Sequence, residues 1–166
     1  MKKLKWVLVF LVLLIVIWFF VRFFSHREID DVSPGIFCEK NYLEKSDVLW
    51  IIPDYLNKSI ANETDWCVQI SGMNKILGLH GVFHSYNEFS EDRNIEYLDK
   101  GIGDFEKCFG YKPEMFKAPQ LSITENNILL IEGKGMKVRG MWNQIAHKVY
   151  HCSDTGVFPN WLIDLF

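Results

Sequence analysis

Residues Trp6 to Val21 form an unbroken apolar run, and Phe23 and Phe24 carry it past Arg22. No other feature of the 166-residue chain limits its fold as strongly. A hydrocarbon core of roughly 30 Å needs about 20 helical residues, which Trp6 to Phe24 supplies, with the Arg22 head able to reach the interface. Inside a helix every backbone group is paired, so the Leu, Val, Ile, Phe and Trp side chains can face lipid. A cleaved signal peptide has a shorter apolar core followed by small residues, whereas Phe23-Phe24-Ser25-His26-Arg27 is bulky and basic. The segment therefore reads as an uncleaved transmembrane anchor meeting the bilayer through residues 6–24. It divides the chain into a cytoplasmic tip and anchor, 1–25, and a domain, 26–166.

Lys2, Lys3 and Lys5 precede the helix, while only Arg22 and Arg27 follow it closely. Positive charge favours the cytoplasmic side, which places the domain on the extracytoplasmic side. Asn57-Lys58-Ser59 and Asn62-Glu63-Thr64 are glycosylation sequons compatible with that side. Without Lys2, Lys3, Lys5 and Arg22, fourteen of the eighteen basic residues face twenty-one acidic ones, a net of about −7. Nucleic acid and anionic lipid surfaces both reward a basic face, so no nucleic-acid partner is expected; protein partners are unknown. Cys38, Cys67, Cys108 and Cys152 lack CxxC spacing. They allow up to two disulfides with three possible full pairings, or four reduced, buried thiols.

Past residue 25 there is no repeat and no Pro/Gly/Ser linker. Short apolar or β-branched runs recur at 27–31, 48–52, 75–80, 115–118, 136–141 and 147–151 and read as strands. Between Asn94 and Phe109, residues Ile95, Leu98, Ile102, Phe105 and Phe109 repeat at helical steps, and Gly110 closes the run. Ser122 to Ile131 reads as a second helix, with Ser122 as N-cap, Glu125 three residues on, and Gly133 and Gly135 breaking it. Such alternation predicts an α/β domain with parallel strands, as a small or incomplete β/α barrel. Asp30 and Asp31, His80, Lys117 and His151 then fall at or near strand ends, which converge on one face of such a barrel.

His80-Gly81-Val82-Phe83-His84 places two imidazoles four residues apart, so that both reach one ion from a helical turn. His147 and His151 share that spacing, so at least one pair need not be a metal site. Asp30 and Asp31 can divide their labour, one carboxylate binding metal and the other acting as a general base; their plainer role is a turn or helix cap.

Ile29-Asp30-Asp31-Val32-Ser33-Pro34, His80-Gly81-Val82-Phe83-His84, Phe116-Lys117-Ala118-Pro119 and Val149-Tyr150-His151 follow the order of the motifs of the polysaccharide deacetylase (NodB-homology) superfamily. The chain resembles that family, in an uncharacterised predicted-deacetylase branch, over residues 27–151. The resemblance implies a distorted β/α barrel and a divalent metal, zinc with cobalt or nickel as alternatives, on Asp31, His80 and His84. It implies Asp30 as base and His151 as acid toward the leaving amine. Lys117 takes the place of an arginine that orients the catalytic aspartate, keeping the charge and losing the planar fork. Gly81 stands where Ser or Thr is usual. The expected function is metal-dependent removal of N-acetyl groups from an extracytoplasmic glycan or glycoconjugate. The alternative is a non-catalytic, membrane-anchored glycan-binding or scaffolding domain.

Trp50, Trp66, Trp142 and Trp161 offer sugar-stacking faces, although buried core is the expectation for most of them. Cys152 adjoins His151, but neighbouring strand residues point to opposite faces, so no thiol–imidazole pair is expected.

Overall fold

The computed structural model describes residues 2–165; Met1, at the tip of the expected anchor, and Phe166, at the end of the expected domain, lie outside the described residues. In chain order the elements are α1 (Lys2–Phe24), β1 (Arg27–Val32), α2 (Lys40–Lys45), β2 (Val48–Ile51), α3 (Thr64–Gly72), β3 (Ile76–His80), α4 (Ile95–Phe109), β4 (Met115–Lys117), α5 (Glu125–Gly133), β5 (Lys137–Arg139), α6 (Met141–Ala146), β6 (Lys148–His151) and α7 (Asn160–Leu165). All six expected strands form, each within a residue or two of its expected bounds. They make one parallel sheet in the order β5-β4-β3-β2-β1-β6, curled into a half barrel with helices.

Strand alternation sorts the side chains. Ile29, Leu49, Ile51, Leu77, Leu79, Phe116 and Tyr150 join the apolar core beneath the helices. Glu28, Asp30, Trp50, His80 and Lys117 face the other way and are also buried. Polar side chains at that depth must pair with one another, and this requirement builds the site.

Helix α4 begins at Asn94, whose side chain accepts from the Tyr97 backbone N–H, and ends at Gly110 in the left-handed conformation. This C-terminal glycine relieves the last carbonyls without a Cβ penalty. Its buried stripe of Leu98, Ile102 and Phe105 follows the spacing seen in the sequence. Helix α5 corrects the expected cap: Thr124, not Ser122, accepts from the Asn127 N–H. Ser122 ends a preceding 3-10 turn instead, so the helix starts two residues later.

Two disulfides, Cys38–Cys152 and Cys67–Cys108, use all four cysteines. The buried-thiol alternative is thus overturned, and Cys152 is bonded away from His151. Trp50 is buried, but Trp142 and Trp161 are exposed, against the expectation of a mostly buried set. Along Lys3–Phe24, α1 is long and apolar enough to cross a membrane, a test of length and composition that a signal sequence passes equally.

Candidate active site

Adjacent strand residues face opposite ways, yet Asp30 and Asp31 open onto the same site. A bulge explains this. Ile29 pairs with Leu49 and Val32 with Ile51, so β1 spends one more residue than β2 over that stretch. Asp31 takes up the extra residue at φ +65°, a conformation Asp tolerates better than most side chains.

Asp31 Oδ1 lies 2.8 Å from His84 Nε2 and 3.4 Å from His80 Nε2. Thr155 Oγ1 donates to Asp31 Oδ2 at 3.1 Å, so both carboxylate oxygens are held. The three ligand-type atoms of Asp31, His80 and His84 lie within 4.8 Å of one another. His80 Nδ1 sits 2.9 Å from the Lys117 carbonyl; a proton on Nδ1 donated there fixes the ring with Nε2 facing Asp31. Burial would raise the Asp31 carboxyl, but hydrogen bonds from His80 and His84 and their charge outweigh it and hold it well below the usual carboxylate range. Burial opposes the charged form of His80, yet the hydrogen bond it donates to Asp31 and the charges of Asp30 and Asp31 carry its pKa above the ordinary value.

On the other side of the bulge, Asp30 Oδ1 accepts from Lys117 Nζ at 2.8 Å. Lys117 is 1 % exposed, with Glu28 Oε2 at 3.8 Å and the Trp50 ring beneath its ammonium. The lysine at the arginine's position thus meets the aspartate through one contact rather than a fork. Asp30 Oδ2 faces His151 Nε2 at 3.6 Å. All six candidates, Asp30, Asp31, His80, His84, Lys117 and His151, are brought together. The other HxxxH pair is not: His147 Nδ1 contacts Glu28 Oε1 at 2.6 Å, at the opposite end of β1.

The segment from His80 to His84 is an irregular loop, not the expected helical turn. Glu88 shapes it. Its fully buried carboxylate accepts from the backbone N–H groups of Val82, Phe83 and His84 and from the Tyr97 hydroxyl. Burial and the Glu88 hydrogen bond push the Tyr97 hydroxyl above its ordinary pKa, which keeps it a donor. Gly81, at φ +67°, packs where a Cβ would strike Glu88 Oε2 and Pro119, so the Ser or Thr expected there has no room. Gly81→Ala is expected to cost about 1–2 kcal/mol from the left-handed backbone alone. Denaturant unfolding checks the effect.

Sequence reasoning missed Glu88, Thr155 and Glu28. Glu28 was accessible, being two residues before Asp30 and therefore on the same strand face. Glu88 and Thr155 carry no local signal.

A curled parallel half barrel whose strand ends gather two adjacent carboxylates, two imidazoles and a buried lysine defines the architecture. No protein-family model matches the chain, and no curated protein matches it. Among solved structures it is similar to a peptidoglycan N-acetylglucosamine deacetylase, with a TM-score of 0.53, 13 % identity, and coverage of 68 % of this chain and 54 % of that one. It is similar to a CE4 family pseudoenzyme from Bacillus anthracis, with a TM-score of 0.53, 15 % identity, and coverage of 68 % and 41 %. A mutant CE4 family pseudoenzyme with restored activity scores 0.53 at 17 % identity, covering 68 % and 42 %. The fold is that of the CE4, NodB-like polysaccharide deacetylases, which holds both enzymes and pseudoenzymes. The chain spans between 41 % and 54 % of the lengths of these three.

Proposed function

We propose that this chain is a membrane-anchored, metal-dependent hydrolase that removes N-acetyl groups from an extracytoplasmic glycan or glycoconjugate. One observation carries the reading: Asp31, His80 and His84 converge within 4.8 Å, with Asp30, Lys117 and His151 alongside.

The donor set suits a divalent cation. Two imidazoles and one carboxylate are a common ligand set for catalytic zinc, and they leave coordination positions for water and substrate. Asp31, His80 and His84 would hold the ion, zinc first, with cobalt or nickel as alternatives. Bound there, it supplies Lewis-acid polarisation of an amide carbonyl and acidification of water.

The chain's own residues account for the proton movements. Lys117 Nζ occupies Asp30 Oδ1, so Oδ2 is the oxygen that takes a proton from the attacking water. His151, with Nε2 toward that same oxygen, gives a proton to the departing nitrogen as the C–N bond breaks. Acetate and a free amine are the products. Lys117 orients Asp30 through a charge-assisted hydrogen bond.

Several observations support a retained anchor with the domain outside the cytoplasm. The apolar helix is followed by bulky, basic residues, lysines precede it, and all four cysteines are paired, as in oxidising compartments. Only Ser25 and His26 separate α1 from β1, so the domain, 26–166, would lie against the bilayer.

A second reading is a non-catalytic glycan-binding or scaffolding domain. The single-point Lys117 contact favours it. Full-length protein in detergent, given zinc, cobalt or nickel, is expected to bind about one ion per chain and to release acetate from at least one member of an N-acetylhexosamine oligomer panel. Folded protein that stays metal-free ends the hydrolase reading. Metal bound without acetate from any oligomer selects the second.

A further inference from the structure

Helix α6 is tied to α1 rather than only to the sheet. The Ile145 carbonyl accepts from both Trp18 Nε1, at 3.1 Å, and Arg22 Nη1, at 3.0 Å, while the Ala146 carbonyl accepts from Ser25 Oγ at 2.8 Å. These are last-turn carbonyls of α6, which have no partner within the helix, so α1 and the Ser25 that follows it cap them. At about 1.5 Å per residue, Arg22 and Trp18 lie about 3 and 9 Å before Phe24 along the α1 axis. The end of α6 is therefore level with the final turns of the apolar run.

The surface beside this junction is apolar. Met141, Trp142, Ile145, Val157, Phe158 and Trp161 are exposed, Val157 at 93 % and Trp142 at 83 %. Residues 141–146 and 156–163 carry no charged side chain, in a domain whose net charge is about −7. A groove of about 580 Å³ runs between the two parts, with Trp18 and Phe19 on one wall and Ile145, Val157, Phe158 and Leu162 on the other. Water-facing surface rarely gathers apolar side chains so densely. Aromatic and aliphatic side chains without charge suit the boundary between headgroups and acyl chains.

We propose that α6, the segment at Val157–Phe158 and the start of α7 form a seat sunk into the bilayer that holds α1, with a phospholipid acyl chain in the groove. The proposal rests on the reading of α1 as a retained span. Bilayer lipid is the occupant because the groove's own wall is the apolar helix, so lipid that surrounds α1 is continuous with the groove. The seat also borders the site: a Cβ on Gly156 would meet the His151 ring, and Val157 is the next residue. The His151 side of the site is thereby held near the water–lipid boundary, which favours substrates presented at the membrane surface.

Full-length protein in phosphatidylcholine vesicles, doped with a phosphatidylcholine carrying a diazirine on its acyl chain, tests this without mutation. After photolysis, adducts are expected on the central residues of α1 and also within 141–145 and 157–162. Adducts confined to α1 would overturn the seat and leave the anchor standing; a second copy or a protein partner on the seat would give that pattern. Absence of adducts from α1 would overturn the anchor reading itself, and the seat with it. Val157→Glu, at an almost fully exposed position, is expected to reduce labelling of 157–162 several-fold while α1 labelling is unchanged. Unchanged labelling of 157–162 would also overturn the seat.

Discussion

Asp30→Asn is expected to leave zinc binding intact and to lower acetate release by about 10²–10⁴-fold, the usual contribution of a positioned general base. The separation of the two effects follows from the bulge. Asp31 turns toward His80 and His84, whereas Asp30 turns toward Lys117 and His151. An asparagine oxygen can still accept from Lys117 Nζ, and Glu28 remains 3.8 Å from that ammonium, so the variant should fold. Zinc stoichiometry measured beside acetate release on the same preparation checks both halves. Turnover that persisted would remove Asp30 as the base, and lost zinc would place Asp30 among the ligands.

Lys117→Met is expected to destabilise the fold by about 3–5 kcal/mol, the cost of leaving a buried charge without its partner. Lys117 is 1 % exposed, and its ammonium contacts Asp30 Oδ1 at 2.8 Å. Glu28 would survive the change, because Trp50, Asn143 and His147 also contact its carboxylate. Asp30 would keep only His151, at 3.6 Å. The loss therefore belongs to Asp30, and combining Lys117→Met with Asp30→Asn should recover most of it, since no unpaired charge then remains. Chemical denaturation of the two single variants and the double variant measures this coupling. A loss of the same size in the double variant would assign the effect to packing of the lysine stem instead.

These two expectations meet at a site whose parts were unequally legible. The strands could be read because β-branched and apolar runs between turn residues are local signals. The α4 boundaries followed from Asn94 and Gly110, whose cap geometries depend on one residue each. Ser122 misled because a capping-box pattern describes a possible helix start, while the chain needed a 3-10 turn at Pro119–Leu121 before Thr124 could cap. The HxxxH spacing was informative for the wrong reason. His80 and His84 meet Asp31 through a loop moulded on the Glu88 carboxylate, not through a helical turn.

Sequence alone determined what depends on near neighbours: an apolar segment long enough for a bilayer, the strand–helix alternation, and the residue types at strand ends. Tertiary structure alone decided the rest: the bulge that turns Asp31 away from the alternation of its strand, the choice among three disulfide pairings, the buried Glu88 beneath Gly81, and the docking of α6 on α1. Periodicity and capping act over a few residues and leave a mark in the sequence. A register slip, a carboxylate filling another loop's turn, or a carbonyl capped by a distant tryptophan depends on partners up to 127 residues apart, brought together only by the packing of the sheet.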